Sequence, residues 1–148
     1  MRRVQYWLLG LFVIAVLFQG GCAGAATSST SSSEKPAITE KDEASEFNKV
    51  ILTEKAAQRI NLQTDKIREE QVEGKKRTIT PYASLIYGLN GETWIYTTSS
   101  PLTFMRAPVK VDFIEGDNVV LAEGPAAGTE VAVVGVPELY GIDTGVGK

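Results

Sequence analysis

The chain of 148 residues has no histidine, a single cysteine and two methionines. Without histidine it lacks the commonest general base, the commonest metal ligand and any Ser-His or Cys-His nucleophile pair. One cysteine excludes an intrachain disulfide, and a zinc site would have to be built from carboxylates alone. Soft-metal handling calls for clustered Met, His or Cys; here Met1 lies in the leader and Met105 stands by itself. A basic surplus is also missing, since 15 Lys and Arg face 18 Asp and Glu, a formal charge of −3. Loss of residues 1–22 with Arg2 and Arg3 leaves 13 against 18, or −5. That balance provides no electrostatic footprint for nucleic acid and no basic face for anionic lipid. These absences point to a chain that is not an enzyme, with no cofactor and no metal.

The N-terminus answers where the protein resides. Arg2 and Arg3 form a positive start, residues 4–18 are almost wholly apolar, and Gly20 and Gly21 precede Cys22. The apolar run is short of the roughly 20 residues that span a bilayer and fits an export signal. Small residues directly before a lone cysteine resemble a bacterial lipobox, with Cys22 as the lipid attachment site that anchors the chain in the membrane. Gln19 departs from the aliphatic residue usual at that place. The alternatives are an uncleaved signal anchor and a cleaved signal that leaves a free thiol. Each exports the chain to the cell envelope, facing the periplasm or the exterior. Residues 23–33 are mostly Ala, Gly, Ser and Thr, and residues 34–46 are charged with little to bury, so 23–46 reads as a flexible linker. Roughly 25 residues of such coil span about 25–30 Å.

Residues 47–141 read as one mainly β domain, a small β-barrel or β-roll with one short helix, followed by a flexible tail over 142–148. About 100 residues are enough for one modest core. The helix spans residues 53–60, with Thr53 as N-cap, Ala56, Ala57 and Ile60 on one face, and Asn61 in the left-handed position that ends it. Residues 62–67 alternate as a strand. Trp94, Ile95, Tyr96, Thr97 and Thr98 are β formers. Leu89-Asn90-Gly91-Glu92 before them signals a two-residue type I′ hairpin turn. Val109, Val111 and Phe113 alternate with Lys110 and Asp112, Glu115-Gly116-Asp117-Asn118 makes the next turn, and Gly124-Pro125 with Gly128 makes the last. Strands at this spacing form a barrel or sandwich.

The acids carry no catalytic arrangement. Glu69-Glu70 lie among Arg68, Lys75, Lys76 and Arg77 as a solvated charged stretch. Asp112, Glu115 and Asp117 cluster at a turn. The tail of Gly141, Gly145, Gly147 and Lys148 lacks the first glycine, the hydroxyl residue and the helix of a phosphate loop. Phe104, Met105 and Arg106 mix residue types favoured at protein interfaces and are the candidate partner contacts, with Trp94 and Tyr96 joining them if they face outward. Phe104, Trp94 and Tyr96 belong equally well to a core.

In order and spacing, several segments resemble the membrane-proximal domain of periplasmic adaptor subunits (membrane fusion proteins) of tripartite efflux systems of the resistance–nodulation–division type. They are Pro81-Tyr82-Ala83-Ser84-Leu85-Ile86-Tyr87, Gly91-Glu92-Thr93-Trp94-Ile95-Tyr96, Pro108-Val109-Lys110-Val111, Gly116-Asp117 with Val119, Gly124 with Ala127-Gly128-Thr129-Glu130-Val131, and Glu138-Leu139-Tyr140-Gly141. Upstream, Val50-Ile51-Leu52-Thr53-Glu54-Lys55-Ala56-Ala57 and Ile60-Asn61-Leu62-Gln63-Thr64 are similar to the segment that opens the same domain. The resemblance covers roughly residues 48–147. Full-length adaptors insert a β-barrel, a lipoyl-like domain and a helical hairpin between the two parts; here only the charged residues 66–77 join them. The resemblance implies a non-enzymatic, membrane-tethered minimal or accessory adaptor that docks to an inner-membrane efflux transporter. Alternatives are a lipid-anchored binding module for a cell-wall or small-solute ligand and a degenerate remnant of a longer adaptor.

Overall fold

The computed structural model describes residues 35–43 and 45–146. The expected export signal, Cys22 and most of the expected linker lie outside them. The strands are β1 (Ala37–Lys41), β2 (Asn48–Leu52), β3 (Gln63–Lys66), β4 (Arg68–Val72), β5 (Lys75–Pro81), β6 (Ile86–Tyr87), β7 (Thr93–Ser100), β8 (Thr103–Glu115), β9 (Asn118–Glu123) and β10 (Glu130–Val134). Two α-helices, α1 (Glu54–Arg59) and α2 (Val136–Thr144), and one 3₁₀ turn, Tyr82–Ser84, complete the domain.

The fold is mainly β, a curled sheet of small-barrel type. All the strand pairs are antiparallel, in the order β3-β10-β7-β8-β9-β5-β4, with β2 added to the outer flank of β8 and β1 to β2. The two ends of that order, β3 and β4, are consecutive in the chain and separated by Ile67 alone. The sheet therefore curls until its ends meet at one residue. The Ile67 N–H donates to Thr129 O at 2.9 Å and its carbonyl accepts from Gly128 N at 2.8 Å. The 13-residue β8 is the other joint: its first half pairs with β2 and β7, its second half with β9. Register shifts at Lys110/Val111 and Val111/Phe113 let it bend from one partner to the other.

Period 2 explains the two cores. On β7, Ile95 and Tyr96 are neighbours on opposite faces and both are fully buried; on β10, so are Val131 and Ala132. Ile95 and Val131 join Ile67, Val109, Val119 and Leu121 inside the curl. Tyr96 and Ala132 join Val50, Leu52, Ala57, Phe104, Val136 and Leu139 on the other face, where α1 and α2 cover the sheet.

Local chemistry sets the turns and caps. Thr53 caps α1 as expected, its Oγ1 accepting from Ala56 N at 3.2 Å, and Asn61 follows the helix at φ 50°. The strand expected over 62–67 is present as β3, and the Gly116–Asp117 turn joins β8 to β9, with Glu115 opposite Asn118. The Asn90-Gly91 turn differs from expectation. Five residues, 88–92, separate paired Tyr87 and Thr93, and only Gly91 has positive φ. The Glu92 carboxylate accepts from Asn90 N and Nδ2, which winds a wider loop in place of a type I′ turn. The two-residue turn with both φ values positive is Glu73-Gly74, between β4 and β5.

Both expected boundaries move outward. The linker placed at 23–46 contains β1, because Ala37 packs against the helical-face core and Thr53 holds Pro36 O through both its N–H and its hydroxyl. The tail placed at 142–148 contributes its first three residues to α2, so the domain has two α-helices where one was expected. Gly135, at φ 82°, turns the chain from β10 into α2, and a Cβ there would sit 3.0 Å from Ile60 Cδ1. Gly135→Ala is expected to cost about 1–2 kcal/mol of unfolding free energy from the backbone conformation alone, with the Ile60 clash added, as read by urea titration.

Candidate functional site

The three candidate contact residues lie side by side on β8, yet two of them are turned inward. Phe104, opposite Val50 of β2, is only 2 % exposed and packs in the helical-face core, so it cannot anchor a partner. Met105 is half-buried between Lys49 and Thr97. Arg106, paired across the strands with Tyr96, is committed to an internal ion pair. Tyr96 is fully buried, whereas Trp94, on the same face of β7, is half-buried and lines an open groove with Glu92 and Pro108.

Arg106 reaches Asp143 near the end of α2, with Nε 2.6 Å from Oδ2; the Asp143 side chain is fully buried and that of Arg106 is 18 % exposed. The contact is close but poorly aligned, since the Nε–H does not point along it as a hydrogen bond. Tyr96 supplies the aligned bond, its hydroxyl donating to the same Oδ2 at 2.9 Å, and Asn48 Nδ2 donates to Oδ1 at 3.3 Å. The Arg106 guanidinium carbon lies 5.2 Å from the ring centre of Phe47, 5.6 Å from that of Trp94 and 5.8 Å from that of Tyr140. Phe47 and Trp94 meet edge to face at 4.9 Å. Each contact has the range of a cation–π attraction.

The arrangement clamps rather than catalyses. Both carboxylate oxygens are occupied by groups from β2, β7 and β8, so the cluster ties α2 to three strands. Burial, then the charge and hydrogen bond of Asp143, push the Tyr96 phenol well above its ordinary value. Tyr96 therefore keeps its proton, and its role as donor, through the neutral range. Its raised pKa contributes stability in full below the unfolded value near 10, and that contribution is lost as pH climbs above it. Tyr96→Phe is expected to cost about 2 kcal/mol at neutral pH, the range for a hydrogen bond to a charged group, and to flatten the alkaline limb of a stability–pH curve.

Asp143 was hidden from sequence reading because the tail looked flexible. The available signal was helical spacing: Val136, Leu139, Tyr140 and Asp143 follow i, i+3, i+4 and i+7. Elsewhere among the described residues, no group of three acids, histidines or cysteines is arranged to hold a metal ion. The clefts are open grooves, one of about 450 Å³ between Leu62, Thr64 and the β7–β8 turn. No helix of the described residues is long and apolar enough to cross a membrane. Cys22, the expected lipid site, lies outside the described residues.

No family model matches the sequence, and no curated protein matches it. Among solved structures, the chain is similar to a 180-residue NMR structure encompassing the N-terminal metal-binding site and the membrane proximal domain of SilB from Cupriavidus metallidurans CH34. Sequence identity is 19 % and the TM-score 0.44, over 65 % of this chain and 60 % of that one. The chain thus spans less than two thirds of that structure.

Proposed function

We propose that this chain is a non-enzymatic docking module of the cell envelope, a minimal adaptor that is tethered through Cys22 and binds an inner-membrane efflux transporter. One observation carries the reading. The two stretches whose sequences resemble the opening and closing parts of an adaptor's membrane-proximal domain pair with each other here, β2 with β8 and β3 with β10. Residues 66–77, which stand where adaptors carry their inserted domains, run from the end of β3 through β4 into the first half of β5, and the β4–β5 pairing completes the curl. A domain of this kind folds without the insert, and without a hairpin it acts at the transporter end of an assembly rather than bridging to an outer-membrane channel.

The buried chemistry supports a non-catalytic role, since the Asp143 carboxylate is closed on all sides by its own partners. The test is a strain in which residues 47–146 are deleted and the leader and linker are kept. It is expected to accumulate an efflux substrate above the parental level or to show impaired pump assembly. Unchanged accumulation with normal assembly contradicts the proposal.

A further inference from the structure

The most exposed large apolar side chain of the described residues is Leu89, at 100 %, and Tyr87 and Tyr82 beside it are 54 % and 45 % exposed. Leu85 N–H donates to Tyr82 O at 3.0 Å, closing the 3₁₀ turn that leads straight into β6, so the two tyrosines flank one tight turn just before the loop. Isolated apolar exposure is ordinary, but three adjacent anchors with a leucine at the tip make a patch.

The loop holding Leu89 is wound rather than slack. Gly88 N–H donates to Glu92 O at 2.7 Å and Gly91 N–H to Gly88 O at 3.2 Å. Asn90 adds its backbone N–H at 3.1 Å and its side-chain amide at 3.0 Å to the Glu92 carboxylate. Gly88 makes room for this, since a Cβ there would lie 2.5 Å from Glu92 Oε2. Leu89 is thus displayed by a pre-organised loop, which lowers the ordering cost of binding.

The surroundings select the kind of partner. Residues 82–93 contain one acid and no Lys or Arg. The Asn90 side chain holds the Glu92 carboxyl below the usual carboxylate range. The turn with Glu115 and Asp117 abuts the same surface, where Tyr82 N–H donates to Asp117 O at 2.8 Å. The cations nearest this surface are already paired, Lys110 beside Gly91 and Glu92 with Glu123, and Arg68 at Asn118 with Asp65 and Glu70. Acids are therefore in excess, which repels anionic lipid headgroups and attracts basic side chains. Position agrees. Ala37 pairs with Leu52, which meets Leu102 at one end of β7, whereas the Leu89 loop leads into β7 at Thr93, the other end. The eight residues of β7 put about 25 Å between those ends, so Ala37 lies at the end of the domain away from Leu89.

We infer that the Tyr82–Tyr87–Leu89 surface is the face that docks a protein partner, with Leu89 and Tyr87 entering an apolar pocket rimmed by Lys or Arg. The inference deepens the docking-module reading and rests on it for the expectation of a partner. It is tested in the full chain in its native envelope, with a photo-crosslinking amino acid at position 89 and, as control, at exposed position 38. The expected result is an adduct from 89 and none from 38, joined to a peptide of another protein in which apolar residues are flanked by Lys or Arg. Its yield falls at least ~10-fold with Tyr87→Asp, as for a binding hot spot. Thermal unfolding of Tyr87→Asp is measured alongside, and a yield that falls only in step with a lowered Tm overturns the inference.

Adducts to lipid alone, to a second copy of the chain, or equally from both positions overturn the inference, as does no adduct at all. An adduct with the stated chemistry on a protein other than a transporter sustains the surface and overturns the efflux reading. Co-purification of a transporter without an adduct from 89 overturns the surface and leaves that reading standing.

Discussion

Asp143→Ala is expected to lower the free energy of unfolding by about 3–5 kcal/mol, the usual cost of removing one partner of a buried ion pair. The substitution leaves the Arg106 guanidinium within its ring of Phe47, Trp94 and Tyr140 with no counter-charge, and strips Tyr96 and Asn48 of their acceptor. In a domain of about 100 residues such a loss lowers Tm by roughly 10 °C or more. Trp94 gives a local readout, because the only other tryptophan of the sequence, Trp7, lies outside the described residues. Its fluorescence is expected to change in Asp143→Ala under native conditions, as the stacked guanidinium reorients. The decisive partner is the double variant Arg106→Met with Asp143→Leu. Replacing both charges by apolar groups of similar size is close to neutral in many proteins, so much of the lost stability is expected to return. A cost below about 1 kcal/mol for Asp143→Ala would show that α2 is held by Leu139 and Val136 packing alone.

Ile67→Ala is expected to cost about 3 kcal/mol, within the range for an aliphatic core truncation, whereas Ile67→Val costs less than about 1.5 kcal/mol. The position matters because Ile67 is where the two ends of the sheet meet. Its backbone bonds with Gly128 and Thr129 survive truncation, but its side chain packs with Ile95, Val109, Val119, Leu121 and Val131 inside the curl. The cavity left by the truncation would therefore open on the inner core, not on the face covered by the helices. Hydrogen exchange checks this directly: the amides of Ile67 and Gly128 are expected to lose protection together in Ile67→Ala. Retention of full protection there would place the closure of the sheet elsewhere.

Elements whose information lies within a few residues were legible in the sequence. Thr53 as a cap, Asn61 as a left-handed stop, the alternation ending at Phe113 and the Gly116 turn each depend on neighbours in the chain. The mistaken readings concern contacts made at long range. Ala37 to Lys41 are too few and too polar to signal a strand, and they become one by pairing with β2. Asn90-Gly91 carries a type I′ signal, yet the carboxylate of Glu92 competes for the same donors and wins.

Phe104, Met105 and Arg106 have the composition of an interface, but the parity of β8 turns Phe104 and Arg106 onto the face covered by the helices. Whether an arginine on a strand faces water or a buried aspartate depends on a partner 37 residues away, and period 2 alone does not say which. Asp143 is the converse. A charge in a glycine-rich tail reads as solvent-facing until Asn48, Tyr96 and Arg106 are placed around it.

The most direct test of the proposed docking role is a mild-detergent pull-down of the whole chain from its native envelope, with partners identified by mass spectrometry and compared with a chain lacking residues 47–146. Recovery of an inner-membrane transporter with the full chain, and its loss when the β domain is absent but residues 1–46 are kept, is the predicted result. Recovery of the protein alone, or of the same envelope components with and without the β domain, would contradict it.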